Sequence, residues 1–250
     1  MNKTIIVKVG TESLAHFHTS EKVDKMIADI ARLIQQQIFV TLVSSGAVGC
    51  GKEILPRETN KQVLASVGQP ILMALYAEKF RQHGIITAQI LPTHATLEEI
   101  PSHRAQFTST VKNIVSGWIL PIINENDSLS TVEMRELGQW ADNDQNALII
   151  ARILGATDII LLTNTDGVYR DKDDESTRIH TLKAETITDE WIHQVCWEKS
   201  TSWTGGMQSK LKIGKAFSES GMTHICDGIH SGVYEHAQRS NIKGGTRITS

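Results

Sequence analysis

The sequence predicts a three-layer αβα sandwich built on a mainly parallel central sheet. Short continuous apolar runs recur along the chain, as strands covered on both faces require. They alternate with segments whose apolar residues return at helical spacing, the rhythm of an α/β domain. Polar clusters follow four of the runs, at the strand ends where open α/β sheets bind ligands.

The first run, Thr4 to Val9, is closed by Gly10 and Thr11 and reads as a buried strand. Ser20 is placed to cap a helix carrying Val23, Met26, Ile27, Ile30 and Ile34 on one face. Ile38 to Val43 is a second strand, ending at Ser44-Ser45-Gly46. Gln69-Pro70 suits the first turn of a long helix reaching about Gln82. Then come a strand from Ile85 to Leu91, a helix from Arg104 to Val115 and a strand from Trp118 to Ile123. A helix from Asn143 to Leu154 and a strand from Asp158 to Leu162 continue the pattern. Arg170 to Arg178 carries four acidic residues and reads as a solvated hairpin or loop. A helix from about Met207 to Ser220 and a strand from Thr223 to Cys226 resume the rhythm. Neither repeats nor a linker interrupt it, so residues 1–250 are expected to form one domain. A split into two lobes would fall near residue 155, giving about 1–155 and 156–250, but composition does not mark it.

Composition narrows the function classes. The 250 residues are 40% hydrophobic, with 18 glycines, which is ordinary globular composition. A net charge of −3 gives no electrostatic footprint for nucleic acid or for an anionic membrane surface. No apolar run reaches the length of a membrane span, and the N-terminus leads straight into a strand, so a cytoplasmic protein is expected. Cys50, Cys196 and Cys226 are odd in number and far apart, which excludes a disulfide framework and zinc-ligand spacing. The ten histidines share no spacing that suggests a metal site.

Two stretches compete as phosphate sites. Gly46-Ala-Val-Gly-Cys-Gly51-Lys52-Glu53 nearly spells a P-loop, but Glu53 stands where that mechanism needs Ser or Thr for Mg²⁺. The dinucleotide fingerprint fails as well, at Ile54. Thr204-Gly205-Gly206-Met207-Gln208-Ser209-Lys210 is the better candidate. It opens a helix, where backbone amides and the helix dipole favour an anion, with Lys210 in the first turn. Lys8 within a buried strand is costly unless the charge serves a purpose.

Taken in order, the strand-end clusters resemble the amino acid kinase family, most closely its glutamate-phosphorylating branch. The carrying segments are Val7-Lys8-Val9-Gly10-Thr11, Ser44-Ser45-Gly46-Ala47, Ala65-Ser66-Val67-Gly68-Gln69, Asn124-Glu125-Asn126-Asp127, Asp142-Asn143-Asp144, and Thr204-Gly205-Gly206-Met207 with Lys210. The resemblance implies phosphorylation of the glutamate γ-carboxylate by ATP and Mg²⁺, the first step of proline biosynthesis. Lys8 and Lys210 would then meet the transferring phosphoryl group, and Asp144 would hold both lysines. Gly10 and Gly46 would bring amides to the phosphates, while Ser45, Asn124, Asp127 and Asn143 would hold glutamate. Thr163 and Asn164 would lie at the nucleotide, with Thr204, Gly205, Gly206, Met207, Gln208 and Ser209 along its phosphates. The chain departs from the family at Asn164, usually Asp, and at Trp203, usually Gly.

The resemblance also implies a short form without an appended PUA domain, proline as feedback inhibitor, a homo-oligomer, and coupling to glutamyl phosphate reductase. The chemistry agrees with this reading. A glutamate carboxylate, with a pKa of about 4.3, is already an ionised nucleophile and needs no general base. Positioning and charge stabilisation supply the rate. The alternatives on the same fold are another acceptor (acetylglutamate, carbamate, aspartate or a nucleotide) and a catalytically silent sensor.

Overall fold

The computed structural model describes residues 3–14, 20–93, 95–129, 143–171, 173–196 and 206–250. Its strands are β1 (Thr4–Val9), β2 (Phe39–Val43), β3 (Thr87–Ile90), β4 (Leu120–Ile123), β5 (Asp158–Leu162), β6 (Val168–Tyr169), β7 (Arg178–Ile179), β8 (Thr181–Lys183), β9 (Met222–Cys226) and β10 (Thr246–Thr249). The helices are α1 (Glu21–Gln35), α2 (Ala47–Ile54), α3 (Lys61–Arg81), α4 (Pro101–Ser116), α5 (Asn143–Leu154), α6 (Asp189–Val195), α7 (Met207–Phe217) and α8 (Val233–Gln238). An eight-stranded sheet in the order β3-β4-β2-β1-β5-β9-β10-β8 is the middle layer. It is parallel except where β10 meets β9.

Alternation along β1 divides the core. Ile5, Val7 and Val9 join α1, α3 and α8 on one face. Ile6 packs with α4, α5 and α7 on the other, beside Val43, Ile123, Ile159 and Leu161. Because successive strand residues point to opposite faces, Lys8 belongs to the α5 and α7 side. The expected three-layer sandwich is therefore present, and strands β4, β2, β1 and β5 lie side by side with their polar ends along one edge.

The main local difference concerns α3. The sequence predicts a helix start at Gln69-Pro70, whereas the helix begins eight residues earlier, at Lys61, with Asn60 accepting from the Gln62 and Val63 amides. Pro70 thus sits inside the helix, forgoing the backbone bond to Ser66. Both residues face solvent, where the carbonyl can be hydrated. Packing overrides the local signal. A Cβ on Gly68 would come within 1.8 Å of the Ala47 carbonyl oxygen, and one on Gly51 within 1.9 Å of the Leu64 oxygen, so α2 and α3 lie almost backbone to backbone.

Smaller differences follow from turns and late pairing. Trp118 lies in a turn with φ of 58° rather than in a strand, its ring against Phe39. The acidic 170–178 stretch closes the β6–β7 hairpin, whose end is anchored by Arg178 pairing with Asp166 and donating to the Lys243 carbonyl. Strands β8 and β10 are too short and polar to stand out in sequence and exist by pairing beside β9.

The edge of the sheet away from the polar strand ends buries a charged chain of groups. Asp158 accepts from Thr157 Oγ1 at 2.8 Å and from His224 Nε2 at 3.0 Å, and pairs with Lys3 and Arg239. His224 Nδ1 lies 3.3 Å from His236 Nδ1. Burial holds both imidazoles below their usual range, that of His236 down to about 3. The unfolded chain takes up protons near pH 6.5 that the folded chain refuses. Stability from this pair is complete above that pH and falls on acidification, by about 1.4 kcal/mol per pH unit for His236 and in the same direction for His224. A urea unfolding midpoint that drops between pH 7.5 and pH 5 is expected. An unchanged midpoint would contradict the assignment of both rings as neutral.

Candidate active site

The polar edge of β1 presents Lys8 in an apolar row. Its register partners are Val43 on β2 and Leu161 on β5, both core residues on the same face. Only 4% of Lys8 is exposed, and an ammonium group there needs a counter-charge. Helix α5 supplies it. Asp144, Ala147 and Ala151 fall at i, i+3 and i+7, so the small-residue face that seats α5 on the sheet also buries Asp144 completely. Helix α7 brings the second lysine by the same logic, with Lys210, Gly214 and Phe217 on its buried face.

The three groups form one cluster. Lys8 Nζ pairs with Asp144 Oδ1, and Lys210 Nζ donates to Asp144 Oδ2 at 2.9 Å. A single carboxylate thus bridges two cations, and the three side chains together carry one net positive charge. A Cβ on Gly10 would sit 3.6 Å from Lys8 Nζ, so the chain passes close to the ammonium group. Gly206 ends the approach to α7 with no side-chain cap, so first-turn amides lie beside Lys210.

A chain of amides adjoins the cluster through Asn143, the neighbour of Asp144. Asn143 Nδ2 donates to Ser45 Oγ at 2.7 Å and to Asn124 Oδ1 at 3.5 Å. Asn124 is 1% exposed and donates from Nδ2 to Gln69 Oε1 at 2.7 Å. Gly46 takes φ of 109°, a conformation suited to glycine, and turns the chain from β2 into α2. Ser44 Oγ donates to the Ser45 carbonyl and lies 2.9 Å from the buried Tyr76 hydroxyl, which fixes this turn from α3. Asp127 is half-buried in the turn after β4.

On the other side, Thr163 continues the β5–β9 pairing through its amide to Cys226, and Asn164 is exposed beside Ser13 Oγ. Lys22 of α1 donates to the Thr163 carbonyl, and burial lowers its pKa. Met207 and Ser209 are half-buried and Gln208 is exposed in the first turn of α7. Thr204, Gly205, Trp203 and Asp142 fall outside the described residues.

The structure thus brings Lys8, Asp144 and Lys210 into contact, and Ser45, Asn124 and Asn143 into a second connected group. The near P-loop takes no part in either. Residues 47–54 are helical, and the exposed Lys52 donates to the Glu58 carbonyl at 2.7 Å. The sequence does not mark Gln69, Tyr76 or Lys22 as site residues. Burial of a polar residue on the apolar face of α3 is the signal for the first two, visible once the helix register is known.

The mainly parallel αβα sandwich thus sets a buried lysine of β1 and another of α7 on one carboxylate beside its strand ends, an arrangement suited to binding phosphate groups. Residues 3–226 match the amino acid kinase family. The glutamate 5-kinase of Streptococcus agalactiae serotype III is 34% identical over 243 residues, covering 91% of this chain and 89% of that protein. The enzyme of the same name from Streptococcus thermophilus is 34% identical over 221 residues, covering 84% and 82%. In fold, the chain is similar to carbamate kinase from Giardia lamblia bound to AMP-PNP, with a TM-score of 0.69 at 15% identity over 100% and 99% of the two chains. It is also similar to N-acetylglutamate synthase from Neisseria gonorrhoeae, with a TM-score of 0.67 at 15% identity over 99% of this chain and 59% of that one. The chain belongs to the amino acid kinase family, and within it to the glutamate 5-kinase group.

Removing Asp144 leaves two buried cations facing each other. Breaking a buried pair from one side costs about 3–5 kcal/mol. Asp144→Ala is therefore expected to lose stability of that order in urea unfolding, whereas the exposed Lys52→Ala should change it by less than about 0.5 kcal/mol. Equal small losses in the two variants would contradict the buried pairing.

Proposed function

We infer that the chain catalyses ATP-dependent phosphorylation of the L-glutamate γ-carboxylate to glutamyl 5-phosphate, the first step of proline biosynthesis. The observation that carries this reading is the Lys8–Asp144–Lys210 cluster in a chain 34% identical to glutamate 5-kinases. A γ-carboxylate oxygen attacks the γ-phosphorus of ATP. As the new P–O bond forms, the bond to the β-phosphate oxygen breaks, giving an acyl phosphate and ADP. The nucleophile is ionised at neutral pH, so no protein group has to remove a proton.

The protein's task is to hold two anions together and stabilise charge as it spreads over the transferring group and moves to the leaving oxygen. Lys8 and Lys210 would do so from opposite elements, with Asp144 fixing both ammonium groups. The amides of Gly10, Gly46, Gly206 and Met207 would meet phosphate oxygens, with Thr204, Gly205, Gln208 and Ser209 continuing that wall. Thr163 and Asn164 would lie at the nucleotide. Ser45, Asn124, Asp127 and Asn143 would hold the amino acid, Asp127 offering an acceptor to its ammonium. Residues before about 155 would thus provide most of the acceptor side and those after it most of the nucleotide side.

Mg²⁺ fits as a companion of the nucleotide phosphates. Both oxygens of Asp144 face lysines, which leaves the ion to phosphate and water ligands. Bound there, it would neutralise phosphate charge. Proline presents the same α-carboxylate and an amine, and would compete at the acceptor site. The reading extends to a cytoplasmic homo-oligomer that passes its labile product to glutamyl phosphate reductase. Among the described residues, no helix is long and apolar enough to cross a membrane.

With ATP, Mg²⁺ and hydroxylamine, glutamate should give hydroxamate faster than acetylglutamate, aspartate or carbamate. A clear preference for one of the others would overturn the substrate. Lys8→Ala and Lys210→Ala should each lower kcat by about 10²–10³, the usual loss on removing a preorganised charge contact. Lys52→Ala should stay within about threefold, a barrier change under about 0.7 kcal/mol. A folded, inactive Lys52→Ala beside an active Lys8→Ala would contradict the site.

A further inference from the structure

We propose that Gln69 binds the α-carboxylate of the amino acid acceptor through its Nε2 amide, as the terminal donor of a directional chain of side-chain amides. The inference rests on the proposed function and adds a contact to it. Asn146 Nδ2 donates to Asn143 Oδ1 at 3.3 Å, Asn143 Nδ2 to Asn124 Oδ1 at 3.5 Å, and Asn124 Nδ2 to Gln69 Oε1 at 2.7 Å. Every amide oxygen after the first is taken by the preceding NH₂, so the chain has one direction. It ends at Gln69 Nε2, which is buried and has no hydrogen-bond partner among the described residues.

Gln69 as a whole is 8% exposed, on the same face of α3 as Leu72, Tyr76 and Phe80. A buried NH₂ without an acceptor is costly, and folded proteins rarely keep one without a use. The group can only donate, since Oε1 already serves Asn124. Its complement is therefore an anionic or carbonyl oxygen, and an ammonium group is excluded. Leu72, one turn further along α3, lies 3.9 Å from where a Cβ on Gly46 would be, so this face of the helix runs beneath the Ser45–Gly46 turn.

An amino acid acceptor with a side-chain carboxylate offers two such groups. The reacting one is drawn to Lys8 and Lys210, next to Asn143. Gln69 is the other end of the chain, two amides beyond Asn143, and matches the non-reacting carboxylate. A donor meeting that group contributes equally to ground and transition states, so its loss raises KM and leaves kcat alone.

Gln69→Glu separates this role from packing. It keeps the shape and the oxygen that accepts from Asn124, and replaces the donor by an oxygen. Gln69→Met removes both. At pH 8, each variant should raise the KM for glutamate about 10- to 100-fold, the range for a hydrogen bond to a charged group. The KM for ATP should stay within twofold and kcat within threefold, with a cooperative thermal transition retained. A glutamate KM within twofold of the parent in Gln69→Glu would overturn the proposal. So would a fall in kcat accompanied by a higher KM for ATP, which marks collapse of the amide chain. An unsubstituted protein that makes no hydroxamate from glutamate would overturn the functional reading itself, and with it the role of Gln69.

Discussion

Everything at the polar edge of the sheet is organised around one carboxylate. Asp144 is fully buried and faces a lysine from each oxygen, one on the central strand β1 and one on α7. Two cations in an apolar layer would repel each other and lose their hydration without it. With it, α5, β1 and α7 are held at fixed spacing by charge as well as by packing. Their ammonium groups are oriented before any substrate arrives, as electrostatic preorganisation requires.

The surrounding fold makes that arrangement possible by ordinary means. Alternation along β1 puts Lys8 on the α5 and α7 face, and small residues at 147 and 151 let α5 lie close to the sheet. On the opposite side of the edge, α3 supplies polar groups from an otherwise apolar face. Tyr76 fixes the Ser44–Gly46 turn, and Gln69 receives Asn124. The close contact of α2 and α3 through Gly51 and Gly68 sets the height of that face. In the proposed reaction, these two supports bring acceptor and phosphoryl donor to the same three charges.

Much of this was legible in the chain. Strands buried on both faces are continuous apolar runs, and β1, β2, β4, β5 and β9 were all readable for that reason. Lys8 was conspicuous because a charge inside such a run is expensive. What escaped reading depended on contacts between distant segments. Pro70 signals a helix start, yet the Gly51–Leu64 and Gly68–Ala47 contacts carry α3 back to Lys61. Strands β8 and β10 have no pattern of their own, and Gln69 looked like a helix-start residue rather than a buried donor. Glu53 already counts against the Walker-like stretch, and its residues 47–54 form a helix in which Gly51 packs against α3.

The central claim is that Asp144 acts through the two lysines. A double-mutant cycle on kcat with Lys8→Met, Asp144→Asn and the combined variant tests it most directly, with folding checked by thermal melts. If Asp144 works by positioning Lys8 and Lys210, the double variant will be about as slow as the slower single variant. Rate losses that multiply would mean that Asp144 and Lys8 contribute independently, and would contradict the account.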